Sequence, residues 1–102
     1  MNAKFNVFML KAGQRAAFVR AVETGLTPLI GGTDGLRGIL CLGPGDAADQ
    51  CIVITLWESA EAMSAFYRQD NAAFREVLRA LEGFFAATPL RQDCEVALAL
   101  LR

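Results

Sequence analysis

Few side chains in this sequence can do chemistry, and those that can are hydrogen-bond donors or fixed charges rather than bases or metal ligands. Trp57 is the only tryptophan, and its indole N–H donates but cannot accept. Asn6 is the lone amide in the apolar run KFNVFMLK, residues 4–11, where burial would oblige it to find partners. Arg75 and Arg37 carry permanent positive charge, and Tyr67 is the only phenol. Asn6, Trp57 and Arg75 are the candidate catalytic residues, two hydrogen-bond donors and a fixed positive charge. Phe8, Arg37, Met63, Phe66, Tyr67 and Phe85 are the candidate lining of a mostly apolar ligand pocket. Each polar candidate also has a plainer reading. Trp57 can be a core aromatic whose N–H meets the backbone. Asn6 can face water at an edge, Arg75 can be a solvated helix residue, and Arg37 can pair across a subunit contact.

The chain has no histidine, which removes the commonest general base and metal ligand. With no paired acidic spacing either, a metal site is not expected. The Gly-rich segments GGTDG and GPGD lack the strand–loop–helix setting of a phosphate site and read as turns. Ten Lys/Arg against eleven Asp/Glu give a net charge of -1 with no run of either sign. Nucleic acid is therefore not expected as a partner, and there is no polybasic membrane patch. The N-terminal MNAKFNVFMLK has neither the apolar core nor the cleavage site of a leader, and no apolar run is long enough to span a bilayer. Three cysteines, an odd number on apparent strands, suit a reducing compartment, and the cytoplasm is the expected location. Cys41 and Cys51 flank the GPGDAAD turn symmetrically, so a simple hairpin register sets them opposite each other, as buried thiols more readily than as a redox pair.

The elements that must position these residues are legible from periodicity. A length of 102 residues predicts one domain spanning 1–102. Lys4–Lys11 reads as a strand. Gly13 opens a helical segment with Phe18, Val22 and Leu26 on one face, which Gly25 and Pro28 are expected to stop. Leu36–Leu42 and Gln50–Glu58 are strands around a turn. Ser59 is placed to cap a helix carrying Met63, Phe66 and Tyr67, with Glu61 in its first turn. Asp70 or Asn71 marks a break. A further helix follows with Phe74, Val77, Leu78, Leu81 and Phe85, ended by Pro89, and Cys94–Leu101 is the final strand. The order β-α-β-β-α-β predicts an α+β ferredoxin-like sandwich on an antiparallel sheet.

An open sheet covered by helices on one side should be polar at every second residue on the other. Here both parities are apolar: Cys51, Val53 and Trp57 on one face of the third strand, Ile52, Ile54 and Leu56 on the other. The chain is 54% hydrophobic and 21% charged, an apolar surplus that needs burial. Pairing two such faces removes a large exposed patch, so a homodimer built sheet against sheet is expected.

The strand end TLWES, Thr55–Ser59, and the helix after it, in a chain of this length and order, resemble the antibiotic biosynthesis monooxygenase family of dimeric α+β barrels. In its haem-degrading branch the resemblance reaches Asn6 on the first strand. Phe66 stands where that branch has Trp, Glu76 falls near its His position, and the axial ligand is absent, which disfavours haem degradation. In its anthrone-oxidising branch the resemblance reaches Trp57 and Arg75. There Val53 replaces an Asn and Met63 a Tyr, with Tyr67 a phenol one turn further on. The resemblance implies a cofactor-independent monooxygenase whose partners are a small electron-rich aromatic (an anthrone, polycyclic phenol or quinol) and O2. Removal of the substrate proton would fall to Tyr67, Glu76 or the substrate's own acidity. The alternative is a non-catalytic dimeric barrel that binds a small apolar ligand.

Overall fold

The structure is a computed structural model that describes residues 1–68 and 70–102. Its elements are β1 (Asn2–Met9), α1 (Arg15–Ile30), β2 (Leu36–Leu42), β3 (Gln50–Trp57), α2 (Ala60–Phe66), α3 (Ala72–Glu82) and β4 (Leu90–Glu95). The strands form one antiparallel sheet in the order β2-β3-β1-β4, the ferredoxin-like α+β arrangement. The two long apolar strands take the centre, where both edges of each are paired.

Strand parity sorts side chains between the faces as expected. Phe8 and Asn6 of β1 pair with Cys51 and Val53 of β3, and all four are buried. Phe8, Phe18, Val22 and Leu81 close one core cluster, with the Phe8 and Phe18 rings 5.0 Å apart. Trp57, Met63 and Phe66 form a second cluster at the other end of the sheet. The opposite sheet face, with Val7, Ile52, Ile54 and Leu40, carries no helix and is only partly buried.

Local chemistry fixes the helix ends. Ser59 Oγ accepts from the Ala62 N–H at 3.1 Å and starts α2. Asn71, one of the two residues expected at the break, caps α3 through the Phe74 N–H at 3.3 Å. Its Nδ2 donates back to Phe66 O at 2.8 Å, so one amide ties the end of α2 to the start of α3. Caps of this kind are worth about 1 kcal/mol each.

Three boundaries and one strand register differ from expectation. α1 runs through Gly25 and Pro28 to Ile30. Gly25 is not a stop but a close approach, because a Cβ there would lie 3.4 Å from the Val77 methyls of α3. The residues flanking Pro28 keep its turn helical, since Leu26 and Leu29 pack against the Trp57 cluster. Phe85 lies beyond α3, which Gly83 ends, and bridges instead to Leu10. The last strand is Leu90–Glu95 rather than Cys94–Leu101. It begins just after Pro89 and runs antiparallel to β1 until Glu95 meets Asn2, and the Val96 N–H bonds Met1 O at 2.8 Å. Finally, Cys41 opposes Val53, not Cys51. The turn wraps the Arg15 guanidinium, which donates to Pro44 O, Ala47 O and Gln50 O at 3.1–3.4 Å, and this longer loop displaces the symmetric register.

Candidate functional site

Strand alternation sets polar groups at two-residue intervals into the apolar helix-facing side of the sheet. From β1 these are Lys4 and Asn6, and from β3 it is Thr55, between Val53 and Trp57. α2 and α3 cross above them and leave a cleft. Its floor includes Asn6, Phe8, Thr55 and Trp57, and its roof Phe66, Tyr67, Phe74 and Leu78. The enclosed space is only about 50 Å³. The cleft is thus a narrow slot with close, mostly apolar walls.

A hydrogen-bonded chain crosses the floor. Trp57 Nε1 donates to Thr55 Oγ1 at 2.9 Å, and Thr55 Oγ1 lies 2.8 Å from the Tyr67 hydroxyl. Trp57 is fully buried, so its N–H is committed to Thr55 and does not reach a ligand directly. Asn6 Nδ2 donates to Val53 O at 3.0 Å, which leaves its side-chain oxygen as the acceptor open to a ligand. Lys4 Nζ binds Asp93 at 2.6 Å and sits 4.6 Å from the centre of the Tyr67 ring. Burial pushes the Tyr67 phenol above its ordinary pKa, opposed by the Thr55 hydrogen bond and the Arg91 charge. At neutral pH Tyr67 therefore keeps its proton and acts as a donor.

Of the residues proposed from sequence, Asn6, Phe8, Trp57, Phe66 and Tyr67 meet in the slot. Met63 packs behind Trp57 in the core. Phe85 stacks on the far side of Phe8, with centroids 5.3 Å apart, and lines a neighbouring cleft instead. Arg75 is exposed on α3, because the slot-facing side of that helix is taken by Phe74, Val77, Leu78 and Leu81, and one residue's rotation carries Arg75 away. Arg37 is exposed at the β2 bulge between Leu36 and Gly38. Glu76, a proton acceptor considered from sequence, pairs with Arg79 at 3.2 Å on the surface.

Two polar slot residues escaped the sequence reading. Thr55 had a signal: it is the polar residue on the buried parity of an otherwise apolar strand. Arg91 had none once the last strand was placed at Cys94–Leu101, since its slot-facing position depends on β4 starting at Leu90.

Outside the slot, Cys41 and Cys51 occupy the same sheet face on adjacent strands, both unoxidised. The hydrogen bond from Cys51 lowers the Cys41 thiol to about 7, and its counterpart, together with burial, pushes Cys51 up.

The sequence pattern of the antibiotic biosynthesis monooxygenases matches residues 1–80. The chain belongs to this family. No curated protein matches it by sequence. Solved structures share the antibiotic biosynthesis monooxygenase fold at low identity. A candidate antibiotic biosynthesis monooxygenase from Bordetella bronchiseptica superposes with a TM-score of 0.82 at 21% identity, over 95% of this chain and 97% of that one. A mutant form of SnoaB, a cofactor-independent oxygenase from Streptomyces nogalater, gives 0.81 at 16% identity, over 99% and 97%. A further candidate of the family from Nitrosomonas europaea gives 0.80 at 12% identity, over 96% and 100%. Among the described residues no helix is long and apolar enough to cross a membrane.

Proposed function

We propose that the protein is a cofactor-independent monooxygenase that oxidises a flat, electron-rich aromatic, such as an anthrone, polycyclic phenol or quinol, with O2 in the slot. The observation that carries this reading is the protonated Tyr67–Thr55–Trp57 chain set in an apolar slot beside Asn6. Membership of the family and the likeness in fold to SnoaB support the reaction class.

For an anthrone, the ring CH2 loses a proton to give the anion, which passes one electron to O2. The resulting radical and superoxide join to form a C–O–OH peroxide. Its O–O bond then breaks and its remaining C–H proton leaves, yielding a ketone and one water. Substrate and O2 balance these electrons with no other reductant. The protein's part is to hold the ring, orient its hydroxyl on the Asn6 oxygen and donate from Tyr67 to the oxyanion or peroxide. No slot residue is a base at neutral pH, since Tyr67 is kept neutral by burial. The substrate's own acidity supplies the anion, with water at the mouth taking the proton. That missing base also favours a second reading, a non-catalytic ligand carrier.

We place this protein as a homodimer, joined through the helix-free sheet face where Leu40 and Leu90 are 50% and 63% exposed. Three free cysteines support a cytoplasmic location. Oxygen uptake with a panel of anthrones and quinols, corrected for autoxidation, separates the two readings. Acceleration by the protein supports the oxygenase. Binding of the same compounds without acceleration leaves the carrier.

A further inference from the structure

Arg91 is the one charged residue lining the slot among the described residues. It lies on the helix-facing side of β4, directly opposite Asn6 in the strand register, hence about 5 Å away at the backbone. Its neighbours on that face are already spent on each other, since Lys4 binds Asp93 at 2.6 Å. Arg68 and Arg79 are also paired, whereas Arg91 makes no ion pair or side-chain hydrogen bond among the described residues. Glu82 shares the adjoining cleft with it but does not bind it. An unpaired guanidinium at the rim of an apolar slot presents a flat fork of donors that matches a carboxylate. Its field already reaches the slot's polar end, where it counts among the influences on Tyr67.

We propose that Arg91 sets a charge requirement on the slot: the ligand is a flat aromatic bearing a carboxylate, anchored on the Arg91 guanidinium with its ring over Asn6 and beneath the roof aromatics. This rests on the slot reading above and narrows its substrate class. The anchor fixes orientation as well as affinity, because one end of the ring system is held at β4 while its hydroxylated end lies beside the Thr55–Tyr67 pair. Arg91 is a specificity residue in this arrangement, and the oxygen chemistry stays with the slot floor.

The test is fluorescence titration with a hydroxynaphthoate and its methyl ester, which share rings and hydroxyl and differ in charge. Wild type is expected to bind the acid roughly tenfold or more tightly than the ester, a gain of the size of one charge-assisted hydrogen bond. Arg91→Gln is expected to lose that preference by weakening the acid alone. Unchanged ester binding shows that the variant is folded and its slot intact, and Arg91→Lys should recover only part of the preference. Equal binding of acid and ester by wild type, or equal weakening of both in Arg91→Gln, overturns the charge requirement and leaves the slot reading standing. Binding of neither probe by wild type overturns both.

Discussion

Thr55 has one proton and two lone pairs, and its neighbours constrain how they are used. Trp57 can only donate, so Thr55 Oγ1 accepts from it at 2.9 Å, and the contact with Tyr67 uses a second of the three. Thr55→Val keeps the shape but strands a fully buried indole N–H and removes the partner of the phenol. We expect it to cost about 3 kcal/mol, against about 1 kcal/mol for Tyr67→Phe, which leaves the Trp57 bond in place. Urea unfolding midpoints give both values, and the reverse ranking would mean that Thr55 does not bridge them. Tyr67 also predicts a pH dependence. Its folded pKa lies above the unfolded value because of burial, so its contribution is complete below about pH 10, where the free phenol ionises. It is lost as pH rises from there through the folded pKa. Stability followed from pH 8 to 11 should fall more steeply for wild type than for Tyr67→Phe, and parallel curves would rule the shift out. At this scale Asn6, Trp57 and Tyr67 were legible because each is chemically conspicuous in an apolar setting. Thr55 offered only its polar place on the buried parity of an apolar strand, and Arg91 is an ordinary surface arginine until the register of β4 is known.

At the scale of elements, the slot exists because α2 and the start of β2 are locked together near the end of the sheet. Gly35 has φ +79°, and a Cβ there would meet the Ala62 Cβ of α2 at 2.5 Å; its carbonyl also accepts from the Glu58 N–H at 2.7 Å. Gly35→Ala therefore carries two separable costs, left-handed strain of about 1–2 kcal/mol and a clash. Adding Ala62→Gly should restore the clash part and leave the strain, a coupling that thermal unfolding of the two singles and the double would measure. Strict additivity would show that the two residues do not touch. Strand parity, the order of elements and the Ser59 cap were readable because alternation and capping are local signals. The end of α1 and the limits of β4 were not. Gly25 packs against Val77, 52 positions further along, and β4 is defined by its pairing with β1 from Leu90 to Glu95. Long-range contacts of this kind leave no trace in local periodicity.

For the whole molecule, the two sheet faces have different fates. One is covered by helices and holds the slot. The other presents Ile52, Ile54, Leu40 and Leu90 to its surroundings, and the following segment leaves Leu98, Leu100 and Leu101 75%, 85% and 88% exposed. That surface motivates the homodimer, and the apolar character of both β3 parities predicts the surface from sequence alone. Ile54→Lys combined with Leu40→Lys places charges at the centre of the proposed contact. Light scattering should give twice the 11.0 kDa chain mass for wild type and the chain mass for the double variant. A monomeric wild type would exclude the sheet-against-sheet assembly. The family and fold class were also within reach of the sequence, since TLWES and the element order carry the resemblance even though identity to the structural neighbours is only 12–21%. The ligand was not, because the slot is assembled from four strands and three helices. The central claim, that oxygen chemistry occurs in this slot, is tested most directly by oxygen-uptake rates on an anthrone for wild type, Asn6→Ala and Arg75→Ala. The proposed site predicts a loss of roughly a hundredfold for Asn6→Ala, the lower end of what removing a positioned polar group costs, and a rate for Arg75→Ala within about twofold of wild type, as for a surface charge outside the site. An unchanged rate in Asn6→Ala, or a collapse in Arg75→Ala, would place the chemistry elsewhere.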